Sequence, residues 1–206
     1  INSSTKLLAV LEGMSDNLFT DGRKTTMMGE IRFLRGWYMF DLLRMFGEYD
    51  KLDSKYGMII RETPPTSDDV YKARSTVQQT YDFILKDIEY AISNAPDFTS
   101  SDFASKMAAK ALKVKVLFYM GKYSEALEAA NTFIGDGERA LVAPYSAVFT
   151  DFSNQELIYT RGFAGTDEVK YQATRVQAYY NEGKWGPTES FMELVGDDPR
   201  KTVILK

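Results

Sequence analysis

The helix predicted for residues 29–47 constrains the fold more than any other part of the sequence. This stretch is apolar around most of its circumference, so more than one of its faces must be covered by other elements. Two apolar stripes recur at steps of three and four residues. The first stripe is Ile31, Leu34, Tyr38, Leu42 and Met45, and the second is Phe33, Trp37 and Phe40. The sequence therefore predicts a core helix in a protein built of packed helices.

Charged residues interrupt these stripes and are expected to reach either solvent or one another. They are Glu30, Arg32, Arg35, Asp41 and Arg44. Asp41 and Arg44 are three residues apart, a spacing that allows an ion pair across one helical turn. Gly47 follows the last apolar residue and fits the end of the helix.

Helical periodicity recurs in five further segments, at residues 5–17, 77–95, 104–120, 124–134 and 188–195. Ser3 or Ser4 is the predicted N-cap of the first segment. Ser75 and Gln78 have the spacing of a capping box before the second, and Pro96 ends that segment. The predicted architecture is helix packed on helix.

Residues 48–72 and the region after residue 140 lose this periodicity. The first region reads as a long loop with a β-like run at residues 58–60, and loops of such length are often functional. In the second region, residues 157–159 predict a short strand among irregular segments. These two regions are where surface function is expected.

The segments at residues 104–120 and 124–134 predict a helical hairpin. Residues at its junction and in its second helix resemble a tetratricopeptide repeat: Gly121, Tyr123, Ala126, Ala130 and Phe133. A plain antiparallel α-hairpin explains the same spacing and remains an alternative. Residues 40–95 are compatible with a degenerate second copy that has an expanded connection.

The residue types present exclude several classes of chemistry. The chain has no cysteine and no histidine, which removes thiol nucleophiles, Cys/His zinc sites and any histidine base. A net charge of −4 disfavours a nucleic-acid partner. Phosphate-binding and calcium-binding loop motifs are missing, so we expect no cofactor, no metal site and no catalytic residue. A hydrolase that uses two carboxylates remains an unsupported alternative.

A resemblance to a known family follows from the helix at residues 29–47 and from ordered blocks after it. The run Gly-Glu-Ile-Arg-Phe-Leu-Arg-Gly-Trp-Tyr-Met-Phe-Asp-Leu-Leu-Arg-Met-Phe-Gly resembles the signature helix of the SusD/RagB family of outer-membrane nutrient-binding lipoproteins. The further blocks lie at residues 74–92, 105–112, 118–127, 155–159 and 197–200. Their order along the chain is also that of the family.

The resemblance implies a mainly α fold. It implies a SusD-like α-α superhelix of tetratricopeptide-like hairpins, with short irregular or β segments near the C-terminus. One SusD-like domain is expected over residues 1–206, with a helical repeat part at 1–139 and an irregular, mixed part at 140–206. Family members continue well beyond the Asp-Pro-Arg motif, so the sequence is expected to be an N-terminal portion of a longer protein.

The resemblance also implies a function without catalysis. The expected role is capture of a nutrient, such as an oligosaccharide or other glycan, at the outer-membrane surface. The nutrient would pass to a SusC-like TonB-dependent transporter, and a lipid anchor outside this sequence would attach the protein to the membrane. The alternative is a non-catalytic repeat scaffold that binds a peptide or protein partner, which predicts polar and charged residues along the inner helix face.

Aromatic residues in irregular segments are the candidates for the ligand site. Tyrosine and tryptophan offer flat apolar faces for a sugar ring, while asparagine can bond its hydroxyls. The candidates are Tyr49 and Tyr56 in the long loop, and Tyr180, Asn181 and Trp185 near the C-terminus. Alternatively, these residues cover the helical core. Aromatic residues at helical spacing are instead predicted to pack in the core: Phe33, Trp37, Tyr38, Phe40, Tyr81, Phe118 and Tyr123.

Overall fold

A computed structural model describes residues 1–67, 71–137, 139–151, 153–160, 182–183 and 186–201. The chain divides into two compact units, Ile1–Ala140 and Leu141–Lys206. The described residues are mainly helical, which confirms the predicted fold class. The single domain over residues 1–206 stays a prediction.

Packed helices make up the described part of the first unit. They are α1 (Asn2–Gly13), α2 (Arg23–Phe46), α3 (Val77–Asn94), α4 (Lys106–Tyr119) and α5 (Tyr123–Gly135), with a short 3₁₀ turn at Asp16–Leu18. Helix α2 packs against α1, α3 and α4, while α4 also packs against α3 and α5. The helix predicted at residues 29–47 is therefore central to this unit.

Helix α1 begins earlier than predicted. Its N-cap is Ile1, so Ser3 and Ser4 lie inside the first turn and do not cap the helix. Its buried residues Leu8 and Leu11 cluster with Ile31 of α2. The predicted segment is helical, but Leu7 of its apolar pattern is exposed and neither neighbouring serine caps the helix.

The core face of α2 differs from the predicted one. Phe33 and Phe40 are buried as predicted, together with Met39 and Leu43. Three members of the predicted first stripe are exposed: Tyr38, Leu42 and Met45. An apolar pattern on nearly every side of a helix indicates that the helix lies in the core. It does not indicate which of the apolar stripes contacts the neighbouring helices.

Arg35 was expected to reach solvent or another charge on its own helix, and this was wrong. Its side chain is buried, and Asp87 of α3 is buried opposite it. Arg35 Nε donates to Asp87 Oδ2 at 2.6 Å and Nη2 donates to Oδ1 at 2.8 Å. Arg32 Nη1 adds a third bond, 3.1 Å long, to Oδ1. Because a buried charge requires a partner, this bidentate pair fastens α2 to α3.

The capping box of α3 lies one residue beyond its predicted place. Thr76 Oγ1 accepts from the backbone N–H of Gln79 at 3.1 Å, and Gln79 Oε1 accepts from the N–H of Thr76 at 2.9 Å. Ser75 instead donates its N–H to the carbonyl of Met58 at 2.9 Å. Ser75–Gln78 and Thr76–Gln79 have the same spacing, so sequence alone does not separate them.

The predicted β segments are absent from the described residues. Residues 58–60 and 157–159 have irregular backbone. Near the first run, the N–H of Gly57 donates to the carbonyl of Ser75 at 3.0 Å, and the N–H of Ser75 returns a bond to Met58. Among the described residues these two bonds do not extend into a ladder.

Gly121 turns the chain between α4 and α5 with a φ of +75°, a conformation that glycine adopts readily. Ala126 of α5, one of the residues that resemble a tetratricopeptide repeat, is buried. Phe118 and Tyr123, on either side of the turn, were predicted to be core residues but are 58% and 62% exposed. The helical spacing of apolar residues thus continues to the ends of both helices at the turn, although the residues at those ends are not buried.

The described part of the second unit contains α6 (Ala147–Thr150) and α7 (Glu189–Val195). Thr188 caps α7 through a bond from the N–H of Phe191, and Gly196 follows with a φ of +51°, which confirms the predicted helix. After it, Asp198 accepts a bond from the backbone N–H of Arg200. Bonds from the Arg200 side chain and backbone lower the pKa of Asp198 to about 2.

None of the helices in the described ranges combines the length and apolar character that crossing a bilayer requires.

Candidate functional site

Two of the five predicted ligand residues lie in the described part of the chain. Tyr49 and Tyr56 are in the loop between α2 and α3, and their exposed fractions are 36% and 46%. Tyr180, Asn181 and Trp185 lie outside the described residues. Of the predicted ligand site, the structure therefore describes the two loop tyrosines.

The loop between α2 and α3 is fastened to both helices. The N–H of Glu48 donates to the carbonyl of Tyr56 at 3.2 Å, which closes the segment that carries both tyrosines. Arg74 Nε donates to the carbonyl of Gly57 at 2.6 Å, and its Nη2 donates to the carbonyl of Phe46 at 2.5 Å. The N–H of Val77 donates to the carbonyl of Ser54, so the loop also satisfies the first turn of α3.

Tyr49 joins a group of aromatic rings from four elements. We call this group the aromatic cluster, and its members are Phe40 of α2, Tyr49 of the loop, Phe118 and Tyr119 of α4, and Tyr123 of α5. The ring centroids of Tyr49 and Tyr119 are 5.5 Å apart, and Phe40 meets Tyr119 edge-on at 5.3 Å. Phe118 lies 6.4 Å from Tyr119 and 5.3 Å from Tyr123. Each distance is typical of aromatic pairs that attract one another.

Tyr56 has a different neighbour. Its ring lies 5.4 Å from the ammonium nitrogen of Lys55, and its N–H donates to Ser54 Oγ. The structure thus places Tyr49 and Tyr56 in one closed segment, but of these two only Tyr49 is a member of the aromatic cluster.

Arg44 supports the buried side of the aromatic cluster. Its guanidinium carbon lies 4.9 Å from the Phe40 ring centroid and 5.4 Å from that of Tyr119. It also pairs with Asp41, as predicted, and Asp41 accepts a bond from Trp37 Nε1 at 2.9 Å. The hydrogen bond to Asp41 is the main cause of a raised pKa for Arg44. The charge is therefore retained, and cation–π contacts hold the rings in place.

Tyr81 fixes the backbone beneath Tyr49. It is fully buried, and its Oη donates to the carbonyl of Tyr49 at 3.0 Å. Burial raises the pKa of the Tyr81 hydroxyl well above its ordinary value. The folded protein therefore favours the protonated form more strongly than the unfolded chain does.

That preference predicts a pH effect that Tyr81→Phe would remove. A raised pKa contributes stability that is fully present below the ordinary tyrosine value of 10.0 and is lost as the pH rises above it. We expect Tyr81→Phe to cost about 1 kcal/mol at neutral pH, because the carbonyl of Tyr49 loses its donor. Urea unfolding from pH 7 to 11 should then show a shallower alkaline loss than in wild type. Tyr123→Phe, at an exposed tyrosine, is the control. The prediction would be contradicted if the free energy of unfolding fell with pH equally in wild type and in Tyr81→Phe.

The exposed side of the aromatic cluster combines flat apolar faces with polar groups. Glu48, next to Tyr49 in the sequence, lies 3.7 Å from Lys51 Nζ, and Lys122, next to Tyr123 in the sequence, has its Nζ 3.0 Å from Glu125. Aromatic faces next to hydrogen-bonding groups suit a ligand with an apolar face and a polar edge. Among the described residues there is no group of acidic side chains that could hold a metal ion.

A separate groove lies between α3, α4 and α5 and has a volume of about 380 Å³. Its apolar lining is Ile92, Leu117, Ala129 and Phe133, and its charged lining is Glu89, Lys110, Lys113, Glu125 and Glu128. Lys113 pairs with Glu89 at 2.6 Å. This mixture of apolar and charged residues is what the scaffold alternative predicts for an inner helix face.

Sequence reasoning missed three members of the aromatic cluster. Phe118 and Tyr123 were assigned to the core, and Tyr119 was not singled out. The signal that could have found the first two is their position on either side of Gly121. Side chains next to an interhelical turn have fewer neighbours than those in mid-helix.

Comparison with known proteins gives a family match over residues 1–118. The matching family model is SusD-like and is described as starch-binding and associating with the outer membrane. The chain is also 29% identical over 135 residues to SusD-like protein P38 of Formosa agariphila, covering 66% of this chain and 25% of that protein.

Solved structures with the same fold include a SusD superfamily protein from Bacteroides thetaiotaomicron. It is 30% identical with a TM-score of 0.61, over 71% of this chain and 32% of that one. A SusD-like carbohydrate binding protein from Bacteroides vulgatus has a TM-score of 0.67 at 17% identity, over 81% and 35%, a likeness of fold alone. The chain thus spans between 25% and 35% of the length of these relatives.

Proposed function

The chain belongs to the SusD-like family, and on that basis we propose that it binds a glycan at the aromatic cluster. The family match includes the loop that carries Tyr49 and most of α4. The observation that carries the proposal is the packing of the half-exposed Tyr49 ring on Tyr119, 5.5 Å away, in a loop fastened to two helices. A preformed aromatic surface can stack on a sugar ring without first having to be ordered.

The expected affinity is limited by the hydroxyls of the ligand. Each hydroxyl that leaves water must find a hydrogen-bond partner, so desolvation offsets much of the stacking gain. The Lys51–Glu48 and Lys122–Glu125 pairs, which adjoin Tyr49 and Tyr123 in the sequence, are the candidate partners. Recognition therefore combines aromatic stacking with hydrogen bonds from the protein that replace those between the sugar hydroxyls and water.

The proposal includes the cellular setting that the family suggests. The protein would act as a lipoprotein at the outer-membrane surface and deliver the glycan to a SusC-like TonB-dependent transporter. The description of the family as associating with the outer membrane supports this setting. No covalent step is part of the proposal.

The experiment is calorimetric titration of the full-length protein with a panel of oligosaccharides, comparing wild type with Tyr49→Ala. We expect saturable binding by wild type and an affinity about tenfold lower in Tyr49→Ala, which corresponds to about 1.4 kcal/mol. Tyr71→Ala is the matched control, since Tyr71 belongs to the same loop but is 99% exposed. Binding that Tyr49→Ala and Tyr71→Ala weaken equally would exclude Tyr49 as the stacking residue, and no binding to any sugar would exclude glycan capture for that panel.

The other predicted ligand residues can be tested by titration of the same oligosaccharides. Tyr56→Ala tests the second loop tyrosine, while Tyr180, Asn181 and Trp185 stay predictions. Trp185 can be followed by fluorescence, because saturable quenching that disappears in Trp185→Ala would assign it to the site.

The groove between α3, α4 and α5 favours a second candidate, a scaffold that binds a peptide. Its charged walls and apolar floor, which includes Phe133, fit an amphipathic segment. A peptide array probed with wild type and Phe133→Ala separates the two functions. Phe133→Ala should abolish peptide binding and leave glycan binding unchanged if both activities exist.

A further inference from the structure

The chain contains two Asp–Gly dipeptides, Asp21–Gly22 and Asp136–Gly137. Both glycines have left-handed backbone, with a φ of +69° at Gly22 and +67° at Gly137. Glycine has no Cβ to block the approach of its nitrogen to the preceding side chain, so an aspartate before glycine can react with its own backbone. The two dipeptides are matched in sequence and in glycine conformation, and they differ in how their reacting groups are bonded.

The dipeptide at the end of α5 is held at both reacting groups. The N–H of Gly137 donates to the carbonyl of Ile134 at 3.1 Å. The carboxylate of Asp136 forms an ion pair with Lys110. Attack of the glycine nitrogen on the carboxyl carbon would require both interactions to break, which opposes the reaction at this dipeptide.

The dipeptide before α2 is not held in this way. Asp21 is exposed, and among the described residues its carboxylate has no hydrogen bond or ion pair, and the N–H of Gly22 has no acceptor. Asp21 has a φ of +51°, the one positive φ among the described residues other than glycine. The left-handed conformation is unfavourable for an L-residue, although aspartate tolerates it better than most. Neither reacting group therefore has a bond to break, and the backbone there is already strained.

We infer that Asp21–Gly22 is a site of spontaneous covalent modification, at which aspartate isomerises to isoaspartate. The Gly22 nitrogen attacks Cγ of Asp21, and the carboxyl oxygen leaves as water together with the amide proton. Water then opens the resulting five-membered imide at one of its two carbonyls. Opening at Cγ restores aspartate, whereas opening at the backbone carbonyl breaks the original peptide bond and leaves the main chain running through Cγ. One water is lost and one is gained, so no oxidant, reductant or cofactor is needed.

The new linkage adds one methylene to the main chain immediately before α2. The N–H of Arg23 donates to the carbonyl of Thr20 at 2.9 Å across this position, and the N–H of Thr26 donates to the carbonyl of Gly22 at 3.2 Å. A longer chain between Thr20 and Arg23 disturbs the first of these bonds. Hydrogen exchange should accordingly become faster in the first turn of α2 and remain unchanged in the middle of that helix.

The experiment incubates the full-length protein in water labelled with oxygen-18, at mildly acidic pH, and maps its peptides by mass spectrometry. Each passage through the imide adds one labelled oxygen at the aspartate concerned. Cleavage by Asp-N endoprotease, which acts at aspartate and not at isoaspartate, distinguishes the two products. We expect label and isoaspartate to accumulate at Asp21 about tenfold faster than at Asp136, in line with one hydrogen bond and one ion pair that only Asp136–Gly137 must break.

The same incubation in guanidinium chloride is the matched control, because unfolding frees both dipeptides and their rates should become equal. Lys110→Gln should raise the rate at Asp136 in the folded protein and leave the rate at Asp21 unchanged. Asp21→Glu should remove the label at its position, since the longer side chain closes a six-membered ring far more slowly. Equal rates at the two aspartates in the folded protein would overturn the inference, as would label at Asp21 that accumulates only after unfolding.

Discussion

Asp87→Asn is expected to lower the free energy of unfolding by about 3–5 kcal/mol, since it leaves a buried guanidinium without its counter-charge. Asp87 is fully buried between α2 and α3, where it accepts two bonds from Arg35 and one from Arg32. Arg35 cannot discard its charge, because arginine remains protonated in proteins. Urea unfolding at neutral pH, with unchanged m-value, measures the loss.

The next ion pair along α3 supplies the control. Lys86 precedes Asp87 and pairs with Glu62 at 2.9 Å, but both side chains are more than 60% exposed. Glu62→Gln should therefore cost less than about 1 kcal/mol. The double change Arg35→Met with Asp87→Leu should recover much of the loss, because it removes both charges from the interior. Equal effects of Asp87→Asn and Glu62→Gln would show that water reaches the Arg35–Asp87 pair.

Gly29→Ala is the second change with a large expected effect, about 3 kcal/mol of destabilisation. A Cβ at position 29 would lie 2.5 Å from the backbone nitrogen of Ala95 and 2.8 Å from the carbonyl carbon of Asn94. These are backbone atoms at the end of α3 and cannot rotate away. Relief requires α2 and α3 to separate, which disrupts the most central interface of the unit.

Gly36→Ala, in the same helix, should instead increase the free energy of unfolding. A Cβ at position 36 meets its nearest atoms at 3.5 Å, an ordinary contact with Ile84, Asp87 and Ile88. Alanine is favoured over glycine inside a helix by about 0.5–1 kcal/mol, so the variant should unfold at higher urea concentration. Destabilisation of similar size in both variants would show that α2 tolerates no side chain along this face.

The sequence predicts the helices well and their contacts poorly. Apolar period and the stop at Gly47 are local properties, so α2 and its end could be located from neighbouring residues alone. The partner of Arg35 lies 52 residues away, and nothing near Arg35 in the sequence indicates it. Tyr38 and Leu42 were assigned to the core because period alone does not tell which neighbours a helix has.

For the candidate site too, the sequence indicates individual residues but not their contacts. Tyr49 could be proposed because an aromatic residue in an irregular segment is unusual and often functional. Its contact with Tyr119 depends on how α2, α4 and the loop meet, which sequence spacing does not contain. Phe118 and Tyr123 were misassigned because helical spacing predicts burial only where another element covers the helix.

Arg74 has a consequence for the kinetics of recognition. By bonding the carbonyls of Phe46 and Gly57, it closes the loop between α2 and α3 while the protein folds. The conformational entropy of residues 46–57, which include Tyr49, is then lost during folding and not when a ligand binds. Association at Tyr49 should accordingly proceed in a single step, at a rate set by diffusion and orientation and not by loop closure.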